Sequence, residues 1–206
     1  MSTAVSLESL LQARQIWKGG AVTSTAPAHP TGHARLDSVL PGGGWPEAAL
    51  SELLLYADGC GELQVLWPTL ARLSNSGERV VLVEPPFTPY APAWYAAGVN
   101  LRQLTVLRCA NPKDVLWAME QSLRSGSCGA VVGWMQRSGD RELRRLQVAA
   151  ASGTTLGFVC RPVSAANNPS PAALRLIVEN PTPQVRVIKS RGGLVPAGAL
   201  QLNEVS

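Results

Sequence analysis

Any chemistry in this chain would centre on the run Ser51-Glu52-Leu53-Leu54-Leu55-Tyr56-Ala57-Asp58-Gly59-Cys60-Gly61-Glu62-Leu63. Its apolar half reads as a strand and its glycine half as the turn into a helix, where backbone N–H groups can face a phosphate. A working phosphate loop follows its glycines with a Lys for the β- and γ-phosphates and a Ser or Thr for Mg2+. Here Gly59 and Gly61 remain, but Glu62-Leu63 stand where Lys-Ser/Thr would be expected. A carboxylate repels a polyphosphate, and a leucine holds no metal. The residues fit two readings: an NTPase-like scaffold that does not hydrolyse nucleotide, or an ordinary Gly-rich βα turn. Either way no catalytic residue and no cofactor is expected, and Glu62→Ala is expected to leave function intact.

Metal chemistry is equally poorly supplied. Cys60, Cys109, Cys128 and Cys160 form no C-x-x-C pair, and His29 and His33 lie far from most of them in sequence. That pattern argues against a zinc site and for small, reduced core residues. The 206 residues suit one domain with a sizeable core. A 46% hydrophobic and 16% charged composition is that of a globular chain. No apolar run approaches the roughly 20 residues that span a bilayer. The N-terminus shows no basic region followed by an apolar one, so a cytoplasmic protein is expected. The net charge of +4 permits nucleic-acid contact without requiring it.

The elements that must position the glycine loop follow from periodicity. Residues 7–17 read as an amphipathic helix with Leu7, Leu10, Leu11 and Trp17 on or near one face, ended by Gly19-Gly20. A Pro-containing linker runs to His33. After a helical turn at 36–40 and the loop Pro41-Gly42-Gly43-Gly44-Trp45-Pro46, strands and helices alternate. Strands are expected at 49–56, 79–83, 104–107, 130–135 and 155–160, with helices at 61–73, 112–124 and 141–151 and a short one ending at 94–98. Five short apolar strands separated by helices predict an α/β fold, a doubly wound, mostly parallel sheet. Residues 174–178 and 184–188 alternate every second position and predict an antiparallel C-terminal hairpin at one edge. The expected organisation is a helix and linker at 1–33, a domain at 34–190 and a flexible tail at 191–206.

The order of these pieces resembles the RecA ATPase core. The carriers are Leu36-Asp37-Ser38-Val39-Leu40 before the glycine cluster, Val83-Glu84, Ala118 to Gly126 with Ala130-Val131-Val132, and Val185-Arg186-Val187-Ile188-Lys189. Finer phrases are similar to the ImuA proteins, a RecA-like, SulA-related family. These are Glu84-Pro85-Pro86-Phe87-Thr88-Pro89-Tyr90-Ala91-Pro92-Ala93, Leu116-Trp117-Ala118-Met119-Glu120-Gln121, Leu143-Arg144-Arg145-Leu146-Gln147, Arg161-Pro162, Pro169 to Leu176, and Lys189-Ser190-Arg191-Gly192-Gly193. The RecA resemblance implies a metal-binding Asp at the end of strand four and an Asn-Gln signal at the end of strand five. This chain has Gly133-Trp134-Met135 and Cys160-Arg161-Pro162 there. Glu84, placed where an activating carboxylate would sit, is left as a strand-end residue, and ATPase activity is not expected.

The ImuA resemblance implies a non-catalytic accessory role in SOS-induced, error-prone translesion DNA synthesis. The implied partners are ImuB (a Y-family polymerase-like protein), RecA and an error-prone DnaE-type polymerase. The alternative is a SulA-type cell-division inhibitor that binds FtsZ, a related fold that also lacks ATPase motifs. Two surfaces are expected to matter. One is the helix with Leu7, Leu10, Leu11 and Trp17, a candidate partner contact. The other is basic, Arg141, Arg144 and Arg145 beside Arg137, and separately Lys189 and Arg191; it reads as a DNA or acidic-partner contact, or as a solvated face. Trp67, Trp117 and Trp134 are expected in the core, and Trp45 and Trp94 as interface anchors.

Overall fold

The computed structural model describes residues 29–179 and 184–202. The expected helix bearing Leu7, Leu10, Leu11 and Trp17 and the Pro181-Thr182-Pro183 turn lie outside them. In chain order the elements are α1 (Ala34–Asp37), β1 (Leu50–Leu55), α2 (Glu62–Asn75), β2 (Arg79–Val83), α3 (Ala91–Ala96), β3 (Leu104–Leu107) and α4 (Pro112–Arg124). They continue with β4 (Cys128–Trp134), α5 (Asp140–Gly153), β5 (Leu156–Pro162), β6 (Leu174–Glu179), β7 (Gln184–Ser190) and β8 (Leu200–Gln201). The eight strands form one sheet in the order β3-β2-β4-β5-β1-β6-β7-β8. Strands β1 to β6 pair in parallel, and β6–β7 and β7–β8 pair antiparallel.

Alternation within the buried strands separates two cores. Leu53, Leu55, Val80, Leu82, Ala130 and Val132 face α2 and Trp94 of α3, whereas Leu50, Val81, Val83, Val131 and Val159 face α4 and α5. Helix α4 starts where Asn111 accepts hydrogen bonds from the N–H groups of Lys113 (3.0 Å) and Asp114 (3.1 Å), with Pro112 as its first residue. It buries Val115, Met119 and Leu123 at helical spacing. Met119 settles against Gly133, where any Cβ would collide with the thioether.

Three details differ from the sequence-based expectation. Residues 29–33, expected as linker, are bonded into the domain. The Trp45 N–H donates to the His29 carbonyl at 2.7 Å, and His33 Nε2 donates to the Val65 carbonyl at 3.1 Å. Trp45, expected as an interface anchor, is fully buried. It meets Phe158 edge-on at 5.0 Å between ring centroids and donates its indole N–H to Thr69 Oγ1 at 2.7 Å. The stretch from 191, expected as a flexible tail, returns to the sheet as β8, and Leu202 is buried. The hairpin edge is therefore covered by a further short strand.

One buried cluster ties the sheet's centre to its C-terminal half. Glu52 on β1 is fully buried and accepts from Arg161 Nη1 on β5 at 3.3 Å and Arg175 Nε on β6 at 3.1 Å. Ser170 Oγ donates to its other oxygen. Further arginine donors go to backbone, Arg161 Nη2 to the Ser138 carbonyl (2.6 Å) and Arg175 to those of Ala165 (2.8 Å), Ala166 (2.9 Å) and Asn168 (3.2 Å), whereas Arg161 Nε is buried without a partner. One carboxylate thus holds two guanidinium groups from flanking strands, and these organise the 163–170 segment. Removing one partner of such a cluster costs about 3–5 kcal/mol, because the others are left buried and uncompensated. Glu52→Ala is expected to lower the unfolding free energy by about that amount in urea titrations; a loss under about 1 kcal/mol, the scale of an exposed pair, would show that the cluster is not coupled.

Candidate partner-binding face

In open α/β sheets the functional surface lies outside the carboxyl ends of the parallel strands. Here that edge carries the loops that follow β1, β2 and β4, at 56–61, 84–90 and 135–139. Gly59 (φ 79°) and Gly61 (φ 106°) adopt left-handed backbone to make the first loop turn into α2, as the sequence suggests.

Glu62, the first residue of α2, is buried and folds back into its own loop. Its Oε1 accepts from the Gly59 N–H at 3.0 Å and from Trp134 Nε1 at 3.3 Å, while its Oε2 is buried with no hydrogen-bond partner. A side-chain carboxylate therefore takes an N–H group that a phosphate loop would offer to its ligand. The expectation that Glu62 is dispensable is not what its burial implies, since it links the β1–α2 loop to the end of β4. The cleft beside it holds about 160 Å3, below the roughly 300–1,000 Å3 of typical small-molecule sites.

Glu84 ends β2 in left-handed backbone (φ 49°), an uncommon conformation for a side-chain-bearing residue. Its N–H donates to the Leu107 carbonyl at 2.8 Å, and its Oε2 accepts from the Cys109 N–H at 2.6 Å. Its carboxylate is spent on holding the β2 and β3 ends together, in keeping with a strand-end role. The segment after it, 85–90, lays Phe87 over the glycine loop: a Cβ on Gly59 would lie 3.1 Å from the Phe87 ring. Phe87 is 63% exposed, Tyr90 71% and Tyr56 61%, so this edge presents three aromatic rings to solvent. Solvent-facing aromatics on a rigid loop are the composition of a protein-binding surface. Sequence reasoning missed this grouping. Its signal was an apolar, Pro-rich loop, 85–92, where polar residues are the rule.

The sequence-predicted basic residues fall in two places. Arg141, Arg144 and Arg145 are exposed on α5, with Leu143 and Leu146 buried against the sheet. Arg144 pairs with Asp140 one turn back at 2.7 Å, and Arg145 reaches across to Glu120 of α4, which also pairs with Arg124 at 2.6 Å. Arg137 is exposed in the loop after β4. Lys189 and Arg191 lie elsewhere, at the end of β7. They turn onto backbone, Lys189 Nζ onto the Ser170 carbonyl at 2.6 Å and Arg191 Nη2 onto the Pro171 carbonyl at 2.7 Å. Partial burial lowers the Lys189 ammonium pKa from its ordinary range, aided by Arg191 and Arg175 nearby. Two tryptophans exchange their expected roles. Trp94 is buried, whereas Trp117, on the face of α4 opposite Val115 and Met119, is 62% exposed.

No helix among the described residues is long and apolar enough to cross a membrane, and no group of three or more His, Cys, Asp or Glu residues there could hold a metal. A family model described as "Cell division inhibitor SulA" matches residues 48–157, which run from β1 into β5 and include all three loops of this face. The chain belongs to the SulA family. The cell division inhibitor SulA of Pectobacterium atrosepticum is 31% identical over 137 residues, covering 66% of this chain and 79% of that protein. The Yersinia pestis SulA is 32% identical over 102 residues, covering 49% of this chain and 60% of that one. A crystal structure of SulA from Pseudomonas aeruginosa matches with a TM-score of 0.48 at 26% identity, over 57% of this chain and 99% of that chain.

The SulA match corrects the partners implied by the ImuA resemblance. The matched family and relatives are named for inhibiting cell division, so ImuB, RecA and an error-prone DnaE-type polymerase are withdrawn as partners.

Burial, with the negative charges of Glu62 and Asp58 adding to it, raises the Cys160 thiol pKa well above its ordinary 9.0. The folded state keeps this thiol protonated where the unfolded chain ionises. Its contribution to stability is therefore complete below pH 9.0 and is lost as pH rises toward the folded-state value. Urea midpoints measured between about pH 8 and about pH 10 are expected to fall less steeply in Cys160→Ala than in the parent chain. Identical slopes would remove Cys160 from the account.

Proposed function

We propose that this chain is a non-catalytic inhibitor of cell division, acting in the SOS response by binding FtsZ and blocking its assembly. The observation that carries the reading is the SulA family match over residues 48–157, the segment that builds the whole aromatic face. The plugged glycine loop supports a role without nucleotide chemistry, since Glu62 already occupies the turn. The crossover sheet, with β1 between β5 and β6, supports a RecA-like scaffold used for contact geometry. On this face Phe87, Tyr90 and Tyr56 are the rings available to a partner.

The test is sedimentation of FtsZ from the same organism, assembled with GTP, against increasing amounts of this protein, with and without ATP. The expected outcome is a dose-dependent loss of FtsZ polymer that ignores ATP. The double variant Phe87→Ala/Tyr90→Ala is expected to weaken the effect roughly tenfold or more with an unchanged melting temperature, because both side chains are exposed. Undiminished FtsZ assembly would remove the reading.

A further inference from the structure

A second cavity, of about 530 Å3, opens on the same carboxyl edge of the sheet, where the ends of β2 and β4 meet the first turns of α4 and α5. Val115, Leu116, Trp134 and Met135 give it an apolar wall, and the exposed side chains of Lys113 and Arg137 stand at its mouth. The polar groups that line it divide into two sets. Its carboxylates are committed to the fold: Glu84 accepts from the Cys109 N–H at 2.6 Å and lies 3.5 Å from Arg108, and Glu142 accepts from the Gly139 N–H at 3.0 Å. Its amides are committed too, Asn111 to capping α4 and Gln136 to Asp58 at 2.9 Å. Its cations are not. Among the described residues, neither Lys113 Nζ nor the Arg137 guanidinium has a hydrogen bond or an ion pair. An apolar hollow with two uncommitted cations at its mouth is matched by an apolar group that carries a negative charge.

We propose that this cavity receives an apolar side chain of a partner protein, with a carboxylate in the same segment meeting Lys113 and Arg137. Charge complementarity selects a carboxylate over a phosphate. Glu84 and Glu142 line the same cavity, and they repel a doubly charged group more than a singly charged one. Size agrees: about 530 Å3 lies within the roughly 300–1,000 Å3 of typical small-molecule sites and has room for a side chain and the backbone beside it. The wall suits this occupant, because methionine and tryptophan are enriched where proteins meet. Glu84 lines the cavity and directly precedes the 85–90 loop, so a partner seated on Phe87 and Tyr90 has the cavity beside it. The proposal rests on the protein-binding reading of this edge for its partner but not for its test.

The test uses the full chain and two capped dipeptide probes, N-acetyl-leucyl-aspartyl-N-methylamide and its neutral isostere with asparagine. The Met135 methyl resonance is followed by 13C NMR and assigned from Met135→Leu. The expected result is a saturable shift of that resonance with the aspartate probe. Binding is expected to be about fivefold or more weaker with the asparagine probe and in the double variant Lys113→Ala/Arg137→Ala, which removes only exposed side chains. If the double variant does not fold, the two probes on the parent chain decide alone. Equal binding of both probes, or no saturable shift, overturns the proposal. Selective binding of the aspartate probe by a chain that leaves FtsZ assembly untouched keeps the cavity and removes FtsZ. Inhibition of FtsZ assembly without a saturable shift does the reverse, so the two failures are distinguishable.

Discussion

Glu52 is an ionisable residue at the centre of a strand that is buried at every position, and the rest of the sheet is arranged around that constraint. A lone carboxylate there would be prohibitively costly to desolvate. Arg161 and Arg175, from the strands on either side, share it, Ser170 Oγ donates to its other oxygen, and the backbone carbonyls of 138, 165, 166 and 168 accept from the arginines' other Nη groups, while Arg161 Nε is buried without a partner. The consequence is architectural. The segment between β5 and β6 is pinned by hydrogen bonds from Arg175, and β6 is held in register against β1 with Glu52 opposite Arg175. A buried cluster of this kind contributes less to stability than a hydrophobic core of equal volume. What it supplies here is a specific placement of the C-terminal hairpin.

The same logic operates at the other end of β1. A glycine turn leading into a helix leaves N–H groups unpaired, and many proteins use them to hold an anion. In this chain Glu62 supplies the anion internally. The turn is thereby removed from nucleotide chemistry and becomes a platform on which Phe87 rests. Sheet, loop and aromatic rim together make one surface at the carboxyl ends of the parallel strands.

Legibility in the sequence differed from residue to residue for physical reasons. The parallel strands were readable because two-sided burial demands continuous apolar runs such as Val80-Val81-Leu82-Val83. Helix α4 was readable from its Asn-Pro start and its apolar spacing. The tryptophans were misjudged because burial was inferred from the kind of element they occupy. Trp117 sits in a regular helix but on its outer face, whereas Trp45 sits in a loop that α2 and Phe158 enclose. Residues after Gly192 lack periodicity, yet β8 forms because β7 offers an unpaired edge.

Taken alone, the sequence determined the α/β alternation, the absence of a Lys-Ser/Thr pair after the glycines and the separation of the cysteines, because each depends on local residue type and spacing. Only the tertiary structure decided that Glu52, Arg161 and Arg175 meet, that Glu62 closes its own loop and that Tyr56, Phe87 and Tyr90 share one edge. The first depends on strand order, which brings Arg161 and Arg175 beside Glu52 from more than a hundred positions away, and the others on how side chains pack at the strand ends; neither leaves a trace in local periodicity.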